Sequence, residues 1–519
     1  MRGRYLFFRV LRGLLSVIIV VAVVMVLIYG LLDRNLIFAR DSAYTHQKNN
    51  AKEVYKYQQW ERFGYVDYVS FSDYLGGLLA AGTITQAEFA EAAKLENTSL
   101  TRKLSEDFTA RYEGEGYAVT KLAAKRRGQK YQEGGEPRLF AHRDIPVGIR
   151  LWRYLTGIVT VDHIHRAEGV QDRGLEFTWF DPVYGGEKFS PAILGRGTAH
   201  KYLLYFDDRF PFAHQNFVTF NLGLSYSLNQ GVDVSDTLTD PQGQRQQREQ
   251  TYPTGRQELT ADDLHSAVHV PGSYEKGDAF VKAHFTDDYT GITTRRQGLS
   301  KLGYSFVIGI LSVLLSYAIA IPVGIRMARH RGRLADKLGS FYIVFVMAVP
   351  SLAYIFLLKA VGEKLGLPTA FDLENPGFAM YLLPVVSLAL PGAANLMKWL
   401  RRYMVDHMDA EYVRFARSCG LGEGQIFRTH VLRNAAIPII HGIPAGILGA
   451  LVGAIITERV YVVPGGGNLL TEAINAYDNG VIVGVTLFYA VLSVISVIAG
   501  DLLIGLADPR IRLGEKGRA

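Results

Sequence analysis

Long apolar runs interrupt the polar pattern of this chain of 519 residues. Six runs stay free of charged side chains for about 19 to 24 residues, the length that an α-helix needs to cross roughly 30 Å of hydrocarbon. Buried helices of water-soluble proteins rarely stay uncharged for so long, so the pattern predicts an all-α polytopic membrane protein. The six predicted membrane-spanning helices are residues 14–32, 302–325, 338–358, 375–397, 434–457 and 479–506.

Four arginines precede the first apolar run, as basic residues do in a cleaved secretory signal peptide. The run of about 19 apolar residues exceeds the usual signal core of roughly 7–15 residues, and no small-x-small cleavage site follows it. We therefore expect residues 14–32 to be retained as the first spanning helix.

Residues 33–301 separate the first two apolar runs and carry signals of both helices and strands. Thr85 and Glu88 match a capping box ahead of apolar residues at helical spacing. Residues 201–220 are aromatic and β-branched, which favours strands or a membrane surface. The polar, turn-rich residues 233–256 predict a mobile loop. A segment of this size can bury its own core, so we expect an inserted domain of mixed α/β type.

Charge is distributed unevenly along the chain, although the net charge is only +7. With six spans, four segments rich in arginine and lysine all fall on one side of the membrane, which identifies that side as cytoplasmic. These are the N-terminal segment 1–13, the connection 326–337, the loop 398–433 and the tail 507–519. The extracellular side then receives residues 33–301, 359–374 and 458–478. The positive charge thus indicates membrane orientation and gives no support for nucleic-acid binding.

Ionisable side chains are nearly absent from the predicted spans. His441 and Asp501 are the candidates, and Asp501 lies so close to the cytoplasmic edge that a structural role is favoured. A carrier driven by protons or sodium usually needs a buried acidic relay or an ion site. The sequence therefore disfavours a self-sufficient secondary carrier, and it predicts neither a metal site nor a catalytic residue.

The loop 398–433 is far longer than a turn between two spans requires. Its apolar residues at helical spacing predict a helix with one apolar face, formed by Tyr412, Phe415, Ala416 and Cys419. Gly420 is expected to end this helix in a left-handed cap, and Gly422 is expected to begin a second helix. The sequence thus predicts two helices joined by a tight bend that projects from the membrane.

The centre of this bend, Leu421-Gly422-Glu423-Gly424-Gln425, is similar to the Leu-Ser-Gly-Gly-Gln signature of ABC ATPases. That signature acts only beside a phosphate-binding loop of the form Gly-x-x-x-x-Gly-Lys-[Ser/Thr]. The dipeptide Gly-Lys does not occur in this chain. We therefore predict that the chain is not an enzyme and binds no nucleotide or other cofactor of its own.

The same stretch, EYVRFARSCGLGEGQIFRTHVLRNAAIPII, resembles the cytoplasmic coupling loop of the B-type permease of oligopeptide and dipeptide ABC importers. That subfamily reads Asp-Tyr-Val-Arg-x-Ala-Arg-x-x-Gly-Leu, followed by His-x-Leu-Arg-Asn-Ala. The broader permease pattern matches only at Ala416, Gly420 and Leu432. The resemblance implies an ATPase-coupling role for Arg414, Phe415, Ala416, Arg417, Gly420, Leu421, Gly422, His430 and Leu432.

Two further stretches carry the resemblance in the expected order. TERVYVVPGGGNLL is similar to the external motif of the family, with Glu458, Pro464, Gly465 and Gly467 in place. ADPRIRL is similar to its C-terminal motif, at Asp508, Pro509 and Arg510. The long segment 33–301 departs from most of the family and resembles the Gram-positive variants with an enlarged first external domain.

The resemblance implies six transmembrane helices of the ABC type I importer architecture, in the plasma membrane of a bacterium, with both termini cytoplasmic. The implied partners are a second homologous permease, two cytoplasmic ATPases that bind ATP and Mg, an extracellular lipid-anchored peptide-binding protein, and membrane lipid. The expected substrate is an oligopeptide. Alternatives are a dipeptide or a nickel chelate, or, less favoured, a secondary carrier or a membrane receptor.

Overall fold

The computed structural model describes residues 2–206, 213–374 and 377–507. The C-terminal motif Asp508, Pro509 and Arg510 lies outside these described residues. The helices before the second apolar run are α1 Arg2–Leu31, α2 Ser42–His46, α3 Asn49–Arg62, α4 Phe71–Ala80, α5 Gln86–Ala92, α6 Ser99–Gly114, α7 Val147–Gly157, α8 Val234–Thr239, α9 Ser273–Lys276 and α10 Ala279–His284. The later helices are α11 Lys301–Arg329, α12 Leu334–Ala348, α13 Ser351–Lys364, α14 Ala379–Met408, α15 Glu411–Ser418, α16 Glu423–Ile426, α17 Arg433–Val460, α18 Gly466–Asn475 and α19 Asn479–Ala507.

All strands of the described chain lie between α1 and α11. They are β1 Val66–Ser70, β2 Ala118–Leu122, β3 Arg126–Arg127, β4 Lys130–Tyr131, β5 Arg138–Asp144, β6 Val159–Val161, β7 Gly174–Thr178, β8 Ala192–Arg196, β9 Tyr202–Phe206, β10 Ala213–Gln215, β11 Val218–Phe220, β12 Arg248–Thr251, β13 Gln257–Thr260, β14 Asp262–His269 and β15 Tyr289–Thr294. Short 3₁₀ turns cover Arg34–Phe38 and Pro182–Tyr184.

Five helical stretches among the described residues are long and apolar enough to cross a membrane. They are Leu6–Leu31, Lys301–Arg329, Ala379–Met408, Glu423–Val460 and Asn479–Ala507. The fifth and sixth apolar runs therefore lie within helices that are longer than the uncharged segments themselves. The permease-like part of the molecule is helical, as the hydropathy pattern predicts.

The third apolar run does not form the single helix predicted for residues 338–358. Helices α12 and α13 meet at Pro350 and are bent by 106°. Proline lacks the N–H that a continuing helix needs, and it restricts the preceding residue to extended backbone. Val349 accordingly has φ −82° and ψ 130°. The pair passes the length test for a span only when both helices are counted together.

Small side chains allow the spanning helices to approach closely. Ala320 of α11 and Ala389 and Ala393 of α14 are completely buried. Two serine hydroxyls of α11 donate to carbonyls of α14, Ser312 to Val385 at 3.2 Å and Ser316 to Ala389 at 2.9 Å. Small residues and interhelical hydroxyl bonds are the usual determinants of helix packing in membranes.

The first and last spans are joined by an ion pair. Arg9 Nη2 lies 2.8 Å from Asp501 Oδ2, and His441 Nε2 of α17 lies 3.6 Å from the other carboxylate oxygen. Val17 and Val21 of α1 pack above this contact in one cluster with residues of α19. Asp501 therefore links three helices, in agreement with its predicted structural role.

The segment between α1 and α11 is a mixed α/β region. One sheet has the strand order β1-β5-β2 and a second the order β10-β9-β8-β7, and the remaining strands pair as two-stranded ribbons. The capping box of Thr85 and Glu88 is formed in both directions. Residues 233–256, predicted as a mobile loop, instead hold α8 and β12. Gln250 of β12 is buried and donates to the Val183 carbonyl at 3.2 Å, a tertiary contact that local polarity does not reveal.

A buried carboxylate attaches this mixed region to the last span. Asp478, just before α19, is completely buried and accepts five hydrogen bonds. Four of the donors belong to residues 225–228, and the fifth is the amide of Val481. We refer to this contact as the Asp478 anchor. It fixes the mixed region against the N-terminal end of α19.

Candidate functional site

The bend between α15 and α16 has the backbone geometry predicted for it. Gly420 adopts φ +81°, the left-handed region that only glycine enters readily. The amide of Leu421 then donates to the Ala416 carbonyl at 3.3 Å and closes the end of the helix. Gly422, in extended backbone at φ −65°, begins α16. Two short helices thus meet at a tight turn.

The packed face of α15 differs from the predicted one. Val413 and Ala416 are buried, together with Ile426 of α16, against Met404 of α14. Phe415 is 71% exposed, and Tyr412 and Cys419 are also exposed. The predicted apolar face is therefore wrong except at Ala416. Val413 and Ala416 are three residues apart, so they form a second, narrower apolar stripe on the same helix, and packing selects that one.

The remaining predicted coupling residues are distributed around the bend. Leu421 and Leu432 are partly buried against the cluster beneath α15. Arg414 is exposed, whereas Arg417 forms two hydrogen bonds with Glu423 across the bend, at 2.5 and 3.2 Å. The bond to Glu423 raises the pKa of the Arg417 guanidinium.

His430 lies within a π-helical turn, Phe427–Leu432, that joins α16 to α17. Turns of this kind inside α-helices occur often at functional sites. The nine predicted residues therefore all lie on or beside one bend, and two of them, Arg414 and Phe415, are exposed on α15 without a described partner for their side chains.

A cavity of about 790 Å³ opens between α11, α13, α14 and α17. None of the described residues that line it is charged. Its polar groups are mainly hydroxyls and amides, including Ser312, Ser316, Ser387, Asn395, Tyr403 and Thr457. The sequence prediction missed this site because neutral polar residues in a span carry no distinctive motif. Three glycines of α17 at Gly442, Gly446 and Gly449 also line it, and their spacing was the available signal.

The residues of the predicted external motif come together at the other end of α17. Glu458 is completely buried, and its Oε1 accepts a 2.6 Å hydrogen bond from Ser305 of α11. The same hydroxyl oxygen accepts from the Gly466 amide at 2.9 Å. Pro464 is half-buried and precedes α18. Helix α17 has 28 residues and is about 40 Å long at 1.5 Å per residue, so the cluster and the bend lie at opposite ends of this helix and form separate sites.

Glycine is required in the external cluster by close approach. A Cβ atom on Gly465 would collide with the Glu458 carboxyl group, and one on Gly467 would lie 2.9 Å from Ile455. We expect Gly465→Ala to lower the free energy of unfolding by about 1–3 kcal/mol, the usual cost of overpacking a core. Thermal unfolding of the detergent-solubilised protein measures this.

Gly377→Ala is the matched control, because no atom lies within 4 Å of the added methyl group there. Equal unfolding temperatures for the two variants would contradict the steric argument.

Comparison with known proteins extends these observations. Residues 320–513 match the family described as "Binding-protein-dependent transport system inner membrane component". The oligopeptide transport system permease protein AmiC of Streptococcus pneumoniae is 32% identical over 526 aligned positions, which cover 99% of each chain. The dipeptide transport system permease protein DppB of Lactococcus lactis is 27% identical over 50% of this chain and 89% of its own.

A solved amino acid ABC transporter is also similar, with 16% identity, 41% of this chain and 92% of that chain covered, and a TM-score of 0.32. A likeness of this size supports no argument about the fold. The AmiC alignment is the informative one, since it includes the region between α1 and α11. The chain belongs to the permease family of oligopeptide and dipeptide ABC importers.

Proposed function

We propose that this permease forms half of an oligopeptide pathway and is driven by a separate ATPase that docks on the bend at residues 411–434. The observation that carries the proposal is Phe415, a large apolar side chain 71% exposed on a helix whose opposite face is packed. Exposed aromatic residues flanked by arginine are typical anchors of protein interfaces. Arg414, next to Phe415, supplies a cation for an acidic rim.

The packing beneath the bend explains how docking would move the spans. Val413 and Ala416 of α15 share one buried cluster with Ala328 of α11, Met404 of α14 and Ala435 of α17. A force applied to α15 is therefore transmitted to three spanning helices at once. These helices, with α13, line the 790 Å³ cavity, so closure of the ATPase pair would change the shape of that cavity.

The lining of the cavity suits a peptide. Hydroxyl and amide groups can both donate and accept, as the peptide backbone does, and neutral walls impose no charge preference on side chains. Dipeptides are the second candidate substrate, supported by the similarity to DppB.

The proposed assembly has this chain and a second homologous permease in the plasma membrane of a bacterium, two cytoplasmic ATPases that carry ATP and Mg, and an extracellular lipid-anchored peptide-binding protein. In this proposal α12 and α13 count as one bent span, so that the chain has six spans and both termini are cytoplasmic. Residues 33–301 are then extracellular. The basic residues of α15 and its neighbours support this orientation.

Truncation of Phe415 tests the docking. We expect Phe415→Ala to weaken retention of the ATPase about 30-fold, since loss of an interface anchor costs about 2 kcal/mol or more. Co-purification of the ATPase with tagged permease and uptake of a labelled peptide are the measurements. The side chain is 71% exposed and belongs to none of the buried clusters of the described residues, so membrane levels of the variant should stay normal.

Phe378→Ala is the control. Phe378 is 81% exposed and lies at the opposite end of α14 from the bend. Undiminished ATPase retention in Phe415→Ala, with normal uptake, would refute docking at this helix.

A further inference from the structure

Helix α7 of the mixed region has three distinct faces. The first carries two arginines, each with a partner elsewhere in the chain. Arg150 is buried between the rings of Tyr29 and Tyr65, 3.6 and 4.0 Å from their centroids. Arg153 Nη1 lies 3.2 Å from Asp67 Oδ1. Arg150 is thus enclosed by the protein, whereas Arg153, whose side chain is 57% exposed, is held at the surface by its ion pair.

The second face holds α7 against the spanning helices. Leu151, Tyr154 and Ile158 pack on the cluster formed by the outer parts of α1 and α19, which includes Met25 and Ile28. At 1.5 Å per residue, Met25 lies about 9 Å from the end of α1 at Leu31. Helix α7 therefore sits within about 10 Å of the outer end of the first span.

The third face is apolar and uncovered. Ile149 is 47% and Trp152 68% exposed. The ribbon of β6 and β11 follows directly, and its Val159, Val161 and Phe220 are each more than half exposed. We call these five residues the α7–ribbon face.

The ribbon contributes one side only to this face. Val159 lies opposite Phe220, and Val161 opposite Val218, so these side chains share one side of the ribbon. The other side carries Thr160 and Thr219, and Thr160 accepts a 2.6 Å hydrogen bond from Asn221. Apolar and polar groups are therefore separated across the ribbon.

We propose that the α7–ribbon face rests in the outer leaflet of the membrane, at the boundary between headgroups and acyl chains. The argument is continuity: α1 itself exposes Val26, Leu27 and Leu31 near the same level, and these are the side chains of a spanning helix that face lipid. Helices that lie in the interface are typically buried about 5–10 Å, with tryptophan on the apolar side. The lipid contact would fix the height and tilt of the mixed region above the pathway.

Site-directed spin labelling tests this in the assembled importer. Cys419 is the only cysteine, so Cys419→Ser yields a background free of thiols. Trp152→Cys and Ile149→Cys, introduced separately, would carry a nitroxide in nanodiscs of phosphatidylcholine and phosphatidylglycerol. Collisions with oxygen, which concentrates in lipid, are compared with collisions with a water-soluble nickel chelate.

Leu27→Cys is the lipid control and Leu259→Cys the water control, with side chains 51% and 65% exposed. We expect both α7 labels to match Leu27→Cys, with an oxygen-to-chelate ratio several-fold above that of Leu259→Cys. A ratio equal to that of Leu259→Cys would overturn the proposal, as would protection from both reagents, which would assign the face to a protein partner. Two labelled positions keep the test decisive if one variant fails to assemble.

Discussion

Replacing Gly420 by valine is expected to abolish most ATP-driven peptide uptake while leaving the permease inserted in the membrane. Gly420 has φ +81°, and a side chain in left-handed backbone costs roughly 1–2 kcal/mol, more for a β-branched residue. The bend must then shift, which moves α15, and Phe415 with it, relative to α16. A loss of about 1.4 kcal/mol from docking already weakens the affinity for the ATPase tenfold. Uptake of labelled peptide and ATPase retention measure the effect.

The control for Gly420→Val is a variant that introduces the same backbone strain at a position away from the bend. Gly366, between α13 and α14, has φ +73°, is exposed, and has no atom within 4 Å of an added Cβ. Gly366→Val therefore introduces the same strain away from the bend, and we expect it to retain most uptake. Peptide uptake at the normal rate in Gly420→Val would contradict a role of the bend in coupling the ATPase to transport.

Converting Asp478 to asparagine is expected to lower the free energy of unfolding by about 2–6 kcal/mol. Oδ1 accepts from two amides and Oδ2 accepts from a hydroxyl and two amides. Whichever oxygen becomes an NH₂ group, at least two donors lose their acceptor, at about 1–3 kcal/mol each. The shape of the side chain is unchanged, so the loss reports the hydrogen bonds.

Thermal unfolding and limited proteolysis of the solubilised protein check this expectation. We expect cleavage near residues 225–228 to become faster, because that segment loses its attachment to α19. Glu472→Gln removes the same charge from the exposed surface of α18 and should behave as the unaltered protein does. An Asp478→Asn variant with unaltered melting temperature and protease resistance would contradict a stabilising role for the Asp478 anchor.

The elements that the sequence predicted correctly are those whose structure is decided by residues that are neighbours in the sequence. The apolar runs formed helices because hydropathy and length decide that outcome, and Gly420 formed a left-handed cap because few other residues can. The single helix predicted for residues 338–358 failed at Pro350, where a missing N–H outweighed continuous hydrophobicity.

The features that escaped prediction depend on contacts between distant residues. Both the Tyr412–Phe415 and the Val413–Ala416 stripes of α15 are apolar, and only the presence of Met404 and Ile426 decides which is packed. Asp478 resembles any loop aspartate until residues 225–228 surround it. The neutral cavity likewise has no signature, because serine and asparagine in a span also serve to pack one helix on another.

The Asp478 anchor also constrains the order in which the protein can be completed. Ser225 and Asp478 are 253 residues apart, yet they share a 2.6 Å hydrogen bond. A ribosome that adds about 5–20 residues per second needs on the order of ten to fifty seconds to cover that interval. During this time the donors of residues 225–228 lack the carboxylate that accepts their hydrogen bonds, and the helices α11 to α18 are still being synthesised. Synthesis of the last helix is therefore the step that completes the folding of a domain begun near the start of the chain.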